Sequence, residues 1–319
     1  MMRADVSGAS GQRARLQRLQ DALSRHLDET VEVMPYSGGV DCWVDIVRRR
    51  DAPDVVVRSA KIERLVTRYD GLVDFGVVLE KEVAVSRLLR EANIPTPAVL
   101  AWHRSSDPEI EPSWMVAEFV PHETSDEVSP RAQVELGRLA RRLHAIEPQG
   151  SDVGPLAPPA HWNEWIVQRL LMRVEAAGNY MPIPASPVIR GALAAAIETR
   201  QSNAGSLLHL DLRGPNLAID GDRILAIFDL ANAIVGDPLL ELARIRGCGL
   251  LTPEFLEGYG EDPAKLAQAD AALDAYELDL AALLVVVSRE EFEDESLHRR
   301  MVERVDMLLA RLLRSSRPR

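Results

Sequence analysis

Cysteine is nearly absent: Cys42 and Cys248 are the only two in 319 residues. They are far apart and in no metal-ligand spacing. This excludes a disulfide framework and a cysteine-built zinc site, and a reducing cytoplasm is the expected compartment. Basic charge is also short. The formal net charge of −12 excludes the cationic surface that nucleic-acid binding needs. An acidic balance serves solubility first and a cationic partner second. The opening stretch "MMRADVSGASGQRARLQRLQ" lacks the apolar core of a signal peptide. The most apolar run, "AALLVVV" at 281–287, is too short to span a bilayer and reads as a buried helix, so no membrane association is expected. There is no internal repeat at solenoid periods. What remains, 46% apolar and 27% charged residues, is the composition of an ordinary globular protein of one large or two modest domains.

Residues 12–27 place Leu16, Leu19, Leu23 and Leu27 at spacings of three and four, an amphipathic helix expected to pack on the next unit. The texture then becomes short and β-branched. "VEVMPYSGGVDCWVDIVRR" and "DVVVRSA" read as strands separated by turns. "FGVVLEKEVAVSRLLREAN" at 75–93 reads as a helix with Val78, Val85, Leu88 and Leu89 on one stripe. "IPTPAVLAWHR" starts a further strand, and "SWMVAEFVPHE" another that ends at Pro121. Beyond it the chain turns helical: 132–146 with Leu136, Leu139, Leu143 and Ile146 on one face, then 161–177 and 188–200. The last helix carries Leu297, Met301, Val305, Leu308 and Leu312. The expected division is an N-terminal helical extension over 1–30, a β-rich lobe over 31–120 and a helical lobe over 121–319.

One stretch of the helical half is strand-like: "LLHLDLRGPNLAIDGDRILAIFDLANAIVGDP" at 207–238, with Gly221-Asp222 as a hairpin turn. It also concentrates chemistry. Phosphoryl transfer needs a carboxylate to orient a hydroxyl, oxygen ligands for Mg²⁺ and positive groups on the phosphates. Asp211, Asn216 and Asp229 supply carboxylate and amide oxygens, the donors a hard cation prefers. His209 reads as a buried scaffold residue. Arg213 could approach the transferred group or pair with a loop carboxylate.

"HLDLRGPN" followed by "AIFDLANAIVGDPLLELAR" resembles the catalytic segment of the aminoglycoside phosphotransferase and choline kinase-like family. "VVVRSA", "LEKEVAVSRLLREANIPTPAVL", "MVAEFVPH" and "LGRLARRLHAI" precede it in that family's order. The resemblance spans roughly residues 31 to 250 and implies an α+β, bilobal protein-kinase-like fold, with a small β-rich lobe and a larger helical one. It implies Asp211 as the catalytic base, aided by Arg213, and Asn216 and Asp229 as Mg²⁺ ligands. Glu82 would pair with a basic residue on the preceding strand. Glu118, Phe119 and Val120 would meet the nucleotide base, and Ser37, Gly38 and Gly39, in "YSGGV", would turn over the phosphates. The strand's basic residue is Arg58, where many members carry lysine, and Lys61 competes for the role. Glu241 stands where aspartate is common and is expected to tie helix to loop.

The function implied is transfer of the γ-phosphate of ATP or GTP to a hydroxyl of a small molecule. An aminoglycoside, nucleoside or other sugar-bearing antibiotic is the first expectation. A metabolic acceptor such as homoserine, choline or a sugar is the second. A non-catalytic nucleotide binder is a third reading, against which the intact Asp211, Asn216 and Asp229 speak. No long activation segment separates Asp229 from "GDP", so a protein acceptor is not expected. Trp162 and Trp165 read as acceptor-pocket wall or as core, and the acidic run at 289–296 as a solvated face or a cation-recognising one. Oligomeric state is left open by the sequence.

Overall fold

The computed structural model describes residues 9–38, 41–107, 111–122, 125–148, 156, 159–198 and 205–315. Helix α1 (Ala9–Leu27) leads into strands β1 (Val31–Gly38), β2 (Cys42–Arg49) and β3 (Val55–Ala60). A small hairpin follows, β4 (Arg64–Thr67) and β5 (Gly71–Asp74), then helix α2 (Phe75–Glu91) and strands β6 (Val99–His103) and β7 (Trp114–Glu118). Five of the strands form one antiparallel sheet in the order β1-β2-β3-β7-β6.

The heptad-like leucines of α1 do what their spacing predicts. Leu19 and Leu23 are fully buried against Val33, Val47, Val57 and Trp114 of the sheet. A fully buried leucine contributes about 1.5–3 kcal/mol. Arg15 of α1 adds a buried two-point contact to Asp45 of β2, at 2.6 and 2.8 Å. Helix α2 starts where the Asp74 carboxylate accepts the Val77 N–H at 3.1 Å, an N-cap that satisfies an otherwise orphaned donor. Its buried face carries Leu79, Glu82, Val85 and Leu89. Val78 and Leu88 of the predicted stripe lie at its margin, only partly buried.

Strand β7 stops at Glu118, three residues short of the predicted end at Pro121. Glu118 pairs with Val55, the first residue of β3, so the ladder has no further rung to offer. Phe119 and Val120 continue as an unpaired connector.

The second half holds α3 (Pro130–His144), α4 (Trp162–Ala177) and α5 (Ser186–Glu198), then short strands β8 (Ser206–Leu208), β9 (Leu217–Asp220), β10 (Arg223–Ile227) and β11 (Ile234–Gly236). Helices α6 (Pro238–Gly247), α7 (Pro253–Tyr259), α8 (Pro263–Ala267), α9 (Asp270–Glu290) and α10 (Glu295–Ser315) complete it. β9 and β10 form the predicted hairpin, with Gly221 at φ +59° in its turn, a conformation glycine adopts without a Cβ penalty. Helix α9 contains the 281–287 run and is buried on most sides. Such a helix is expected to be core, and α4, α6 and α10 surround it. Its polar residues Asp274, Glu277 and Asp279 are buried as well, and each is met by arginine. Among the described residues no helix is long and apolar enough to cross a membrane.

Candidate active site

The 209–216 loop leaves β8 on a strained backbone. Leu210 has φ +64°, a left-handed conformation that costs a side-chain-bearing residue about 1–2 kcal/mol. The surroundings impose it. Glu241, at the start of α6, accepts the His209 N–H at 2.8 Å and the Leu210 N–H at 2.7 Å, and Arg244 Nη1 donates to the Leu210 carbonyl at 2.6 Å. Glu241 thus ties helix to loop as the sequence suggested. Burial alone would raise its pKa. Hydrogen bonding and charge from His144, with His209 nearby, bring it below the ordinary carboxylate value.

His209 is buried and its protonation follows from its neighbours. Nδ1 accepts the Asp211 N–H at 3.1 Å, so Nε2 carries the proton and donates to the Phe228 carbonyl at 2.9 Å. The ring bridges the loop to the strand end that carries Asp229, the scaffold role read for it. Gly214 is required by close approach, since a Cβ there would lie 2.1 Å from the Ser125 carbonyl oxygen.

Asp211 emerges with both carboxylate oxygens engaged. Asn216 Nδ2 donates to Oδ2 at 2.6 Å and to the Asp211 carbonyl at 2.9 Å, while Arg213 Nε donates to Oδ1 at 2.9 Å. Of the two readings of Arg213, the contact made here is the pairing with a loop carboxylate, and that carboxylate is Asp211 itself. Asn216 O accepts the Phe228 N–H at 2.9 Å, which sets Asn216 beside Asp229. Asp229 is a second left-handed residue, φ +58°, and its carboxylate reaches 3.5 Å from Arg58 Nη2.

Arg58 projects from β3 and donates through Nη1 to Glu82 Oε2 of α2 at 2.5 Å. Burial works against its charge, but Glu82 and Asp229 hold the guanidinium protonated. Burial pushes the Glu82 carboxyl up to about 7; Arg58 pulls it down and Asp229 pushes it further up. Glu82 Oε1 is buried with no protein partner among the described residues. Lys61 lies elsewhere, its Nζ 4.5 Å above the Trp43 ring. The structure therefore brings Arg58, Glu82, Asp229, Asn216, Asp211 and Arg213 into one constellation and leaves Lys61 at its edge.

Other expected residues fall less simply. Ser37 and Gly38 are part of β1, paired with Val44 and Trp43 of β2, so they are strand residues and not the turn. Gly39 lies outside the described residues. In the connector, Glu118 is turned to β6: its N–H donates to the Ala98 carbonyl and its carboxylate accepts the Ala98 N–H at 2.8 Å. Phe119 stands edge-on to Tyr36 at 5.8 Å, and the Val120 carbonyl takes His122 Nδ1 at 2.8 Å. Trp162 is core, its indole N–H donating to Tyr276 at 3.1 Å, and Trp165 packs at that core's edge. Glu290 and Glu291 of the acidic run accept hydrogen bonds from Tyr180 and Tyr69.

Sequence reading missed two features. Lys81, beside Glu82, is pushed down to about 8 by burial; a lysine in the middle of a helix gives no sign of this. Asp279 of α9 binds three arginines at once: Arg169 at 2.8 Å, Arg173 at 3.0 Å and Arg244 at 2.5 Å. Arg173 also reaches Asp70 at 2.6 Å, in the β4–β5 turn. No spacing in the sequence announces contacts between residues this far apart.

A sheet-borne arginine–glutamate pair facing an Asp–Asn–Asp set, between a β-rich and a helical lobe, defines a protein-kinase-like phosphotransferase. The chain matches the phosphotransferase enzyme family over residues 48–283, and it belongs to that family. It is an enzyme that transfers phosphoryl groups to hydroxyl acceptors. No curated protein matches it significantly. Several solved structures share its fold. A thermostable mutant of aminoglycoside phosphotransferase APH(4)-Ia in ternary complex with ADP and hygromycin B is 16% identical, covering 91% of this chain and 97% of that one, TM-score 0.62. The GDP complex of aminoglycoside 2'-phosphotransferase-IIIa is 15% identical, covering 91% and 96%, TM-score 0.63. Macrolide 2'-phosphotransferase MphH from Brachybacterium faecium is 17% identical, covering 92% and 98%, TM-score 0.57.

Proposed function

We propose that this protein is a small-molecule kinase that transfers the γ-phosphate of ATP or GTP to a hydroxyl of an antibiotic, conferring resistance by phosphorylation in the cytoplasm. The observation that carries the reading is the anchoring of Asp211: one oxygen held by Asn216, the other by Arg213, on a loop fixed from behind by Glu241 and Arg244.

Asp211 is the group that orients the acceptor hydroxyl and takes its proton as the oxygen attacks phosphorus. A carboxylate already locked in position costs no reorganisation at that moment. Arg58, kept charged and aimed by Glu82, meets the donor's phosphates. Asn216 Oδ1 and the Asp229 carboxylate are hard-oxygen donors that fit Mg²⁺. Bound there, Mg²⁺ would neutralise charge on the phosphates. Arg213 holds Asp211 and neutralises charge beside the transferred group. Phe119, Val120 and Tyr36 form the apolar mouth suited to the nucleotide base, and Ser37 and Gly38 border the phosphates.

The antibiotic acceptor rests on the relatives' own acceptors and on the acidic balance of the chain, which suits a cationic or sugar-bearing molecule. The test is mass spectrometry of purified protein with Mg²⁺ and either ATP or GTP. The acceptor panel holds aminoglycosides, nucleoside antibiotics, macrolides, homoserine, choline and sugars. A phosphorylated antibiotic, absent with Asp211→Asn, is the expected product. Phosphorylation of a metabolite alone would replace the antibiotic reading with a metabolic one. Activity surviving Asp211→Asn would remove the base assignment.

A further inference from the structure

On the outer side of the small lobe, away from the cleft, three segments converge on one point. His26 comes from the last turn of α1, His103 from the end of β6, and Glu111 from the loop before β7. Their ligand atoms all lie within 4.8 Å of one another. His26 Nε2 is 3.4 Å from Glu111 Oε1, and His103 Nε2 is 3.9 Å from the same oxygen.

We propose that His26, His103 and Glu111 form a binding site for a zinc-class divalent transition metal, independent of the phosphotransfer site. Four arguments carry it. The first is chemical: two imidazoles and one carboxylate are a donor set for zinc and its neighbours, and imidazole is a poor ligand for magnesium or calcium. The second is metric. A tetrahedral zinc with bonds of about 2.0–2.2 Å sets its ligand atoms about 3.3–3.5 Å apart. Of the three separations, His26–Glu111 at 3.4 Å already matches, His103–Glu111 at 3.9 Å closes with a sub-ångström shift, and His26–His103 lies within 4.8 Å, so the rings close by side-chain rotation. At 3.9 Å the His103–Glu111 separation is too long for a hydrogen bond, so hydrogen bonding to the carboxylate does not account for the approach of His103.

The third argument is the support behind the ligands. The fully buried Trp114 donates its indole N–H to Glu111 Oε1 at 2.9 Å, the outer-sphere anchoring typical of metal carboxylates. Arg25 reaches the other oxygen, Oε2, at 3.5 Å. His103 stacks on the Trp114 ring at 5.7 Å and His26 stands edge-on to it at 4.9 Å, so one tryptophan orients all three ligands. The fourth is access. His26 keeps 41% of its side chain exposed, which leaves an entry path and a coordination position for water. The consequence would be a staple joining α1 to the far edge of the sheet that it covers.

The test uses the full chain, freed of any affinity tag and dialysed against chelator. Co²⁺ is titrated with visible spectroscopy, Zn²⁺ by calorimetry, and thermal unfolding is followed with Zn²⁺ or Mg²⁺. The expected result is one equivalent of Co²⁺ with the intense bands of a tetrahedral site, displaced by Zn²⁺. Melting should rise with Zn²⁺ and not with Mg²⁺. His26→Ala, His103→Ala and Glu111→Gln should each weaken binding at least tenfold, and phosphotransfer should be unchanged in all three. Glu111→Gln keeps an acceptor for Trp114, so it separates loss of the ligand from loss of the fold. Absence of Co²⁺ and Zn²⁺ uptake by the wild type overturns the proposal, as does uptake that persists in both histidine variants.

Discussion

Arg58 and Arg244 flank the Asp211–Asn216–Asp229 set from opposite lobes, and the protein holds them in different ways. Arg58 meets the buried Glu82 and Cys42 and makes a looser approach to Asp229; among the described residues, Glu82 leaves its second oxygen without a protein partner. Arg244 is part of a closed network. It spans the Leu210 carbonyl and Asp279, and Asp279 is shared with Arg169 and Arg173. The difference teaches which half of the site is built in advance. The 209–216 loop, which on the proposed reading places the acceptor hydroxyl, is over-determined by the helical lobe. The side proposed to meet the phosphates carries the more adjustable Arg58–Glu82 pair. Positional error of an ångström is costly at the acceptor oxygen, whereas a long cationic side chain can follow the phosphates.

The comparison breaks most severely at Asp279. Asp279→Asn removes the counter-charge that three buried arginines share, with Asp70 still beside Arg173 and Arg169. Removing one partner of a buried ion network costs about 3–5 kcal/mol. We expect a loss of that size in urea unfolding, with kcat falling as Leu210 loses the support behind it. The corresponding Glu82→Gln change should leave the unfolding free energy within about 1.5 kcal/mol of wild type, because an uncharged side chain is cheaper to bury. Equal destabilisation by both would mean that the two lobes hold their site residues alike.

The two sides also separate by pH. Burial opposes the charge of Asp279, but the surrounding arginines hold its pKa well below the ordinary value, and Glu241 is depressed as well. A depressed carboxylate contributes stability that is present above its unfolded pKa, about 3.9–4.3. That stability is lost as pH falls towards the folded value. Glu82 has the opposite sign: burial pushes it up to about 7, and its ionised form is lost first. Activity should therefore decline as pH drops through about 7, while unfolding midpoints hold or rise between about pH 7 and 4.3, as Glu82 takes up its proton in the fold first, and fall only below about pH 4. In Glu82→Gln the limb near 7 should disappear from the kcat/KM profile. A limb that persists there would assign it to another group.

The comparison also marks what could be read from the chain alone. Local constraints were legible: His209, Asp211 and Asn216 sit within one loop, and the leucine spacing of α1 fixes its buried face. Glu241 was readable because the segment resembles the family's, with Glu241 where aspartate is common, and it falls in the first turn of α6. The Asp279 network was not, because its partners lie on α4, α6 and α9 and meet only after those helices pack. The Ser37–Gly38 stretch was misread for a related reason. Ser-Gly-Gly favours a turn locally, yet pairing with Val44 and Trp43 carries the strand through Gly38. The β4–β5 hairpin went unread, since its strands are four residues each with half-exposed sides.

The smallest expected effect concerns the choice between Arg58 and Lys61. Lys61 stacks on Trp43 at 4.5 Å, a contact worth about 0.5–1 kcal/mol at an accessible site. Lys61→Ala should change nucleotide affinity less than about fivefold. Arg58→Ala removes a charge-assisted contact worth about 1.5–3 kcal/mol, or roughly tenfold to a hundredfold in affinity. Arg58→Lys sharpens the comparison. Lysine keeps the charge but is a single point, whereas the arginine fork reaches Glu82 through Nη1 and Asp229 through Nη2. If the fork matters, Arg58→Lys falls between wild type and Arg58→Ala in nucleotide binding by calorimetry. If charge alone matters, it binds as wild type does. A larger loss from Lys61→Ala than from Arg58→Ala would move the phosphate-binding role to Lys61, beside Trp43.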